Sequence, residues 1–197
     1  MTTYETPQDW KGPKWWRNRE LDERVFHMRI PPRYANTRGG SPWLSHVNHL
    51  QDFRLGDNFF VTGPAKSGKT RWAVSFMYGL LTSGKVSARF VDSDDYIEMI
   101  KDSFDSSGYL PEMYSNPHLI KLIKGVFDVV VLDGLGEERQ TDFAVHEIGT
   151  LLRHRHDHNL TTIVTSTMSL TEAASHYRGR IGSFVESAKV VKCNGGQ

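Results

Sequence analysis

The residues best suited to do chemistry lie together in one short loop. Its sequence is Gly63, Pro64, Ala65, Lys66, Ser67, Gly68, Lys69 and Thr70, which fits the G-x-x-x-x-G-K-[ST] pattern of a phosphate-binding loop. In such a loop, backbone N–H groups point inward around phosphates, and the N-terminus of the following helix adds positive potential. We expect Lys69 to contact the β- and γ-phosphates of a nucleoside triphosphate and Thr70 to bind Mg²⁺. The loop therefore predicts binding of ATP with Mg²⁺.

A carboxylate near the metal is the second group that this chemistry needs. The apolar run from Val129 to Leu132 ends in Asp133. A carboxylate at the end of a buried strand is costly unless it is paired or lies near a metal. We expect Asp133 to hold Mg²⁺ directly or through water. The alternative is an aspartate that only closes a turn.

Strand and helix patterns alternate around these residues. The predicted strands cover 58–62, 88–92, 127–132, 161–165 and 188–191, and the predicted helices cover 70–81, 95–104 and 143–158. Alternation of this kind predicts a parallel sheet with right-handed crossovers and helices on its faces. The expected fold class is α/β, a P-loop core with a parallel five-stranded sheet.

Composition limits the class of protein. The 197 residues are 38% hydrophobic and 24% charged, with a formal net charge of +1. This length suits one α/β domain, and the near-neutral charge means that any contact with nucleic acid needs a local basic patch. No apolar run approaches the ~20 residues that span a bilayer, and no signal-peptide pattern begins the chain. Together with one cysteine, Cys193, these features favour a cytoplasmic protein without membrane contact.

The chain is predicted to divide into an N-terminal arm and linker at 1–42, an ATP-binding core at 43–193 and a tail at 194–197. Three tryptophans of the arm, Trp10, Trp15 and Trp16, lie among lysines and arginines. Exposed aromatic and arginine side chains are enriched in interface hot spots. The arm is therefore a candidate for docking a partner. Two alternatives remain open: the tryptophans pack on the core, or they stack on nucleic-acid bases.

Three other clusters are interpreted structurally. His154, His156 and His158 are placed at a helix C-terminus, where cationic side chains are favoured, rather than at a metal. The aspartates of Asp92–Asp95 are interpreted as helix caps rather than a Ca²⁺ loop. Arg153 and Arg155 are candidates for a subunit contact or a DNA path.

Several ordered segments carry a resemblance to a known family. They are Leu55–Phe60, Leu132–Glu138, Arg155–Thr167, Tyr177–Ile181 and, before the core, Ile30–Tyr34. From Phe53 to Val191 the chain resembles the AAA+ helicase loaders of the DnaC type and the related IstB transposition helpers. The resemblance implies ATP-dependent loading of a ring-shaped replicative helicase onto DNA, or assistance to a transposase.

The same resemblance implies further expectations. Loaders engage the helicase through an N-terminal region and touch single-stranded DNA through the ATPase core, so both are expected partners, and the chain is expected to act as an oligomer or on a ring. The chain stops soon after the fifth strand, so we expect no C-terminal helical lid. Its small size suggests a reduced version such as a phage encodes.

Three positions depart from the family on the hydrolytic side. The second aspartate, which orients the attacking water, is Gly134 here. The asparagine that ends the T-S-N motif is Thr167, and the arginine that faces a neighbour's γ-phosphate falls at Phe184. An arginine supplied in trans is worth about 10³–10⁵ in rate. We therefore expect slow hydrolysis or none.

Two kinds of substitute are open. Glu137 or Glu138 could reach the γ-phosphate if the loop after the third strand folds back, and Arg178 or Arg180 could act on a neighbour. Glu138 and Arg180 are the candidate catalytic residues, and Thr167 is a candidate nucleotide contact. Two rival functions are a small-molecule phosphotransferase, which lacks a recognisable lid and acceptor pocket here, and a nucleotide-binding scaffold without catalysis.

Overall fold

Five parallel strands form the centre of the molecule. The computed structural model describes residue 16 and residues 19–37, 52–82, 86–105 and 116–194. The strands are β1 (Asn58–Thr62), β2 (Ala88–Asp92), β3 (Val129–Asp133), β4 (Thr161–Ser166) and β5 (Ala188–Lys192). They pair in the order β2-β3-β4-β1-β5, all parallel. The predicted α/β fold with a parallel five-stranded sheet is confirmed.

The described helices include all those expected and several more. They are α1 (Leu21–Met28), a 3₁₀-helix (Pro32–Thr37), α2 (Lys69–Thr82), α3 (Ser93–Asp105), α4 (Asn116–Gly125), α5 (Asp142–Asp157), α6 (Leu170–His176) and α7 (Gly182–Ser187). The sequence patterns predict α2, α3 and α5 but not the others. No helix in the described ranges is long and apolar enough to cross a membrane.

Strand order determines which face each helix covers. The connection from β1 to β2 crosses the sheet in one direction, and the connections from β2 to β3, β4 and β5 run in the other. Because such crossovers are right-handed, α2 lies on one face and the helices from α3 to α7 on the opposite face. Helix α2 packs against β1, β3 and β4, and α5 packs against β4 and α4. Covered on both sides, β3 is buried along its whole length, as its continuous apolar run indicates.

Residue 16 and α1 pack on the core. The Trp16 side chain is 1% exposed. Its indole N–H donates to the Val86 carbonyl oxygen at 3.0 Å, and its ring meets Phe127 edge-on. Helix α1 contacts the edge strand β2. The interpretation of Trp16 as an exposed docking residue is therefore wrong, because burial and an indole hydrogen bond hold it in the core. Trp10 and Trp15 lie outside the described residues.

Arg155 is a buried structural residue. Its side chain is 0% exposed, and its guanidinium donates to the carbonyl oxygens of Ile123 at 2.7 Å, Phe127 at 3.1 Å and Thr161 at 2.7 Å. These acceptors lie where α4 ends and where β3 and β4 begin. The prediction that Arg155 lines a subunit contact or a DNA path is wrong, because all its donors point into the fold.

A buried carboxyl group lies beside this arginine. Asp128 accepts hydrogen bonds from the backbone N–H of Ser87 at 2.7 Å and from its hydroxyl at 2.9 Å. Burial raises the pKa of Asp128 to about 7, although the Ser87 bonds and Arg155 act in the opposite direction. Asp128 and Arg155 together join the start of β3 to β2, α4 and α5.

Two local structural predictions are confirmed. Asp92 lies directly before α3 and its carboxylate accepts the Asp94 N–H at 2.9 Å, which is the helix-capping role expected for this cluster; Asp94 and Asp95 lie in the first turn of α3. At the other end of the sheet, His154 and His156 lie in the last turn of α5 and His158 follows it directly, as expected for histidines at a helix C-terminus; the rings of His154 and His158 are stacked.

Candidate nucleotide site

The phosphate-binding loop lies where neighbouring strands end side by side. Thr62 closes β1 and is paired with Ser166 of β4 on one side and Lys192 of β5 on the other. Asp133 closes β3, the next strand along. Strands β1 and β4 lead into helices on opposite faces, and ligands of parallel α/β folds bind beyond the carboxyl ends of strands at such a reversal. The loop thus occupies the usual ligand-binding edge of the sheet.

Close packing makes glycine necessary at the start of the loop. A β carbon at Gly63 would lie 2.0 Å from the backbone oxygen of Cys193 and 2.8 Å from Ser67 Oγ. The Cys193 N–H in turn donates to the Thr62 carbonyl at 2.7 Å. Two later loop residues, Lys66 and Gly68, have φ values of 62° and 93°. The end of β5 therefore supports the loop, and the loop curves back on itself as a phosphate cradle must.

Lys69 is held at the opening of the loop. It is the first residue of α2, so unpaired N–H groups of the helix start lie beside it. Its Nζ donates to the carbonyl oxygens of Gly63 at 3.0 Å and Pro64 at 2.8 Å. A phosphate oxygen is a stronger, charged acceptor for this ammonium than a carbonyl. The side chain is thus poised for the role that the sequence predicts.

Thr70 and Asp133 meet across the site. The Thr70 hydroxyl donates to Asp133 Oδ1 at 2.8 Å, and the Thr165 hydroxyl donates to the same oxygen at 2.6 Å. Asp133 is 6% exposed, so its carboxylate is buried but hydrogen-bonded. The structure brings together the two residues that the sequence predicts as Mg²⁺ ligands. It adds Thr165, a positioning residue that the strand pattern could have indicated, since β3 and β4 end at one edge.

The donor set fits ATP with Mg²⁺. Mg²⁺ prefers oxygen ligands and keeps several waters alongside one or two carboxylates and substrate phosphates, which Thr70 and Asp133 would complete. The Ser67 hydroxyl inside the loop is buried and makes no hydrogen bond to any of the described residues. It therefore leaves a donor at the cradle. When bound, the metal would neutralise charge on the phosphates, while the loop amides and Lys69 would hold them.

A tight turn follows Asp133. Gly134 has a φ of 75°, and the Glu137 N–H donates to the Gly134 carbonyl at 2.8 Å. The Gly134 carbonyl also accepts the Ser93 hydroxyl at 2.8 Å, and the Gly134 N–H donates to Thr165 Oγ1 at 3.0 Å. The loop after β3 therefore folds back towards its own start. Such a fold is what Glu137 or Glu138 would need in order to reach the γ-phosphate.

Glu138 has a structural position. It is buried, one carboxylate oxygen accepts the Gly136 N–H at 2.9 Å, and the other accepts the Tyr177 hydroxyl. Burial, followed by the nearby Glu138 charge, raises the pKa of Tyr177. A catalytic role for Glu138 stays a prediction: in this structure one of its oxygens closes the turn at Gly136, and the other ties the turn to Tyr177 at the end of α6. Glu137, by contrast, is exposed.

The remaining predicted site residues lie in two places. Thr167 is exposed and follows β4 directly, at the same sheet edge as the loop. Arg178 and Arg180 lie between α6 and α7, are exposed, and extend their side chains over α5. Arg178 pairs with Asp142 at 2.7 Å, and Arg180 Nη1 lies 3.5 Å from His146 Nδ1. Phe184 is fully buried, so that position supplies core packing rather than a cation.

Known structures with this architecture are numerous, although no protein-family profile and no curated protein sequence matches the chain. The DnaC helicase loader has a TM-score of 0.68 at 20% identity, over 83% of this chain and 100% of that one. DnaI has a TM-score of 0.64 at 18% identity, over 84% and 95%. The replication initiator DnaA bound to AMPPCP and single-stranded DNA has a TM-score of 0.60 at 16% identity, over 84% of this chain and 51% of that chain.

The structural matches and the geometry agree on one point. Short sequence segments of this chain resemble DnaC-like proteins, and its backbone fold also matches the folds of DnaC and DnaI. At these identities the likeness concerns the fold. The chain shares the fold of the DnaC helicase loader and of DnaI, with a parallel five-stranded sheet between helices and a phosphate-binding loop after β1.

Proposed function

We propose that this protein binds ATP with Mg²⁺ and, in that state, loads or assists a replicative helicase on DNA. The observation that supports nucleotide binding is the contact between Thr70 and Asp133 at 2.8 Å beside Lys69. A P-loop site binds phosphate and metal together, which needs these groups within reach of one another. DnaA in the AMPPCP complex, which shares the fold, holds a nucleotide analogue.

The helicase role is proposed from the kind of protein that shares the fold. The structure named as a helicase loader is covered along its whole length by this chain. In this chain, ATP would fix the loop, the end of β5 and the turn after β3 in one arrangement, and the partner would recognise that arrangement. We propose Thr167 as a further nucleotide contact and Arg180 as a group presented to a neighbouring subunit, since both are exposed.

Partner contacts are proposed for two regions. The arm around Trp10 and Trp15 would engage the helicase, and the ATPase core would touch single-stranded DNA, as the resemblance to loaders implies. Trp16 is not part of that surface, because it is buried. DnaA, which shares this fold over 51% of its chain, has been solved bound to single-stranded DNA, and this supports the proposed DNA contact.

Capture of a purified replicative helicase from the same cell tests this proposal. The tagged chain is mixed with helicase in ATP, in ADP and without nucleotide, and bound helicase is quantified. We expect at least several-fold more helicase with ATP, and loss of this difference in Lys69→Ala but not in Lys121→Ala, an exposed lysine of α4. The same assay with a transposase is the second arm. Capture of transposase alone, or capture of helicase that ignores nucleotide, would contradict the proposal.

A further inference from the structure

Gly134 has no side chain, and the carboxyl group of Glu137 lies beside it. A β carbon built at Gly134 would lie 3.3 Å from Glu137 Oε2 and 3.5 Å from Glu137 Cδ. The Glu137 carboxyl group therefore lies directly beside the point where a side chain of residue 134 would begin. We propose that Glu137 supplies the carboxylate that orients and deprotonates the attacking water, so that the site hydrolyses ATP. This inference rests on the proposed nucleotide binding.

Hydrogen bonds to β4 and within the turn itself fix the backbone of the turn that carries Glu137. The Leu135 N–H donates to the Thr165 carbonyl at 2.8 Å, and the Ser166 hydroxyl donates to the Leu135 carbonyl at 2.7 Å. Glu138 accepts the Gly136 N–H, and Gly136 has a φ of 91°. The backbone from β3 to Glu138 is thus fixed against β4. Only the Glu137 side chain of this segment remains exposed and able to turn towards a bound phosphate.

Glycine at position 134 is what makes this arrangement fit. A side chain there would begin 3.3 Å from the Glu137 carboxylate, closer than ordinary van der Waals contact, and its backbone φ of 75° also disfavours other residues. Glycine at position 134 and the position of the Glu137 carboxylate beside it are therefore linked. The proposed carboxylate thus belongs to the fourth residue after Asp133 and not to the residue directly after it.

Asp92 is the competing acid. Its Oδ2 lies 3.7 Å from the same built β carbon. However, its Oδ1 accepts the Asp94 N–H at the start of α3, and β2 lies beyond β3 at the edge of the sheet, away from β1. Burial, with Asp95 and Asp133 nearby, raises the pKa of Asp92. Glu137 has the longer side chain, is exposed and has no capping role, so it is better able to follow the γ-phosphate.

The step that Glu137 assists is a simple hydrolysis. The water oxygen forms a bond to the γ-phosphorus, and the bond from that phosphorus to the β–γ bridging oxygen breaks. The electron pair of the broken bond stays on ADP. Glu137 accepts the proton of the attacking water and releases it to solvent, so that ADP and inorganic phosphate are the products.

Replacing the carboxylate by its neutral isostere tests the assignment. Glu137→Gln is compared with wild type for ATP turnover, for affinity for AMPPNP, and for affinity for ADP with aluminium fluoride, which mimics the transferred phosphoryl group with its water. We expect turnover and aluminium-fluoride complex affinity each to fall at least about tenfold, with AMPPNP affinity unchanged within about twofold. Glu98→Gln, an exposed glutamate of α3, should leave all three values unchanged.

Each other outcome decides against the inference. Turnover by Glu137→Gln at the wild-type rate, or loss of turnover in Asp92→Asn alone, would assign the role elsewhere. Wild type that binds AMPPNP but does not hydrolyse ATP, even with helicase and single-stranded DNA, would mean that Glu137 does not act. Wild type that fails to bind AMPPNP would instead remove the proposed function on which the inference rests.

Discussion

Gly63→Ala should abolish nucleotide binding and also destabilise the fold. The added methyl group would lie 2.0 Å from the Cys193 backbone oxygen, a separation that only a shift of the backbone can relieve. That oxygen belongs to the residue whose N–H pairs with Thr62, so the shift would move β5 away from β1 or open the loop. Overpacking and backbone strain of this kind cost about 2–4 kcal/mol.

A matched glycine separates this effect from a general cost of alanine. A β carbon at Gly182, in the first turn of α7, would meet nothing within 4 Å, so Gly182→Ala should be neutral or slightly stabilising. The free energy of unfolding from urea titration and the affinity for a fluorescent ATP analogue are measured for both variants. A Gly63→Ala protein with wild-type stability and affinity would show that the loop and β5 are not packed as described.

Arg155→Ala should unfold or severely weaken the protein, with a loss of about 3–5 kcal/mol in the free energy of unfolding. The guanidinium satisfies carbonyl oxygens of Ile123, Phe127 and Thr161 in a fully buried position. Its removal takes a donor from these acceptors and creates a cavity, and a buried acceptor left unsatisfied costs about 1–3 kcal/mol. Arg155→Lys should also destabilise, because one ammonium cannot reach the same spread of acceptors.

Arg153 provides the control for this prediction. It lies two residues earlier on the same helix and is exposed, so Arg153→Ala should change the free energy of unfolding by less than about 0.5 kcal/mol. Urea unfolding followed by circular dichroism compares the three variants with wild type. An Arg155→Ala protein within about 1 kcal/mol of wild type would contradict the structural role.

The phosphate-binding part of the site could be predicted because its residues form one short, contiguous motif. The spacing of Gly63, Gly68, Lys69 and Thr70 fixes a loop between a strand and a helix, and backbone groups then do most of the work. Asp133 follows from the end of an apolar strand. Parallel pairing brings the carboxyl ends of β1, β3 and β4 to one edge of the sheet. Once the strand order is known, the contact between Thr70 and Asp133 follows.

Other features depend on contacts between distant segments. Composition cannot distinguish an exposed tryptophan from Trp16, which is buried by Val86 and Phe127, or a surface arginine from Arg155. Which of Glu137 and Glu138 is exposed depends on the geometry of the turn. Two glycines permit that geometry, but the sequence alone does not predict it. One missed element did have a local signal: α6 begins at a capping box formed by Ser169 and Glu172, a pattern visible in the sequence.

Binding of a triphosphate by the Lys69 ammonium and the loop amides, opposite a metal-binding carboxylate, is the basis of the proposed function. Its most direct test is the affinity for ATP with Mg²⁺, measured by isothermal titration calorimetry on wild type and Lys69→Ala. We expect one ATP bound per wild-type chain and an affinity at least about 100-fold weaker in Lys69→Ala, since charged hydrogen bonds are worth about 1.5–3 kcal/mol each. An equal affinity in the two proteins, or no saturable binding by wild type, would contradict the claim.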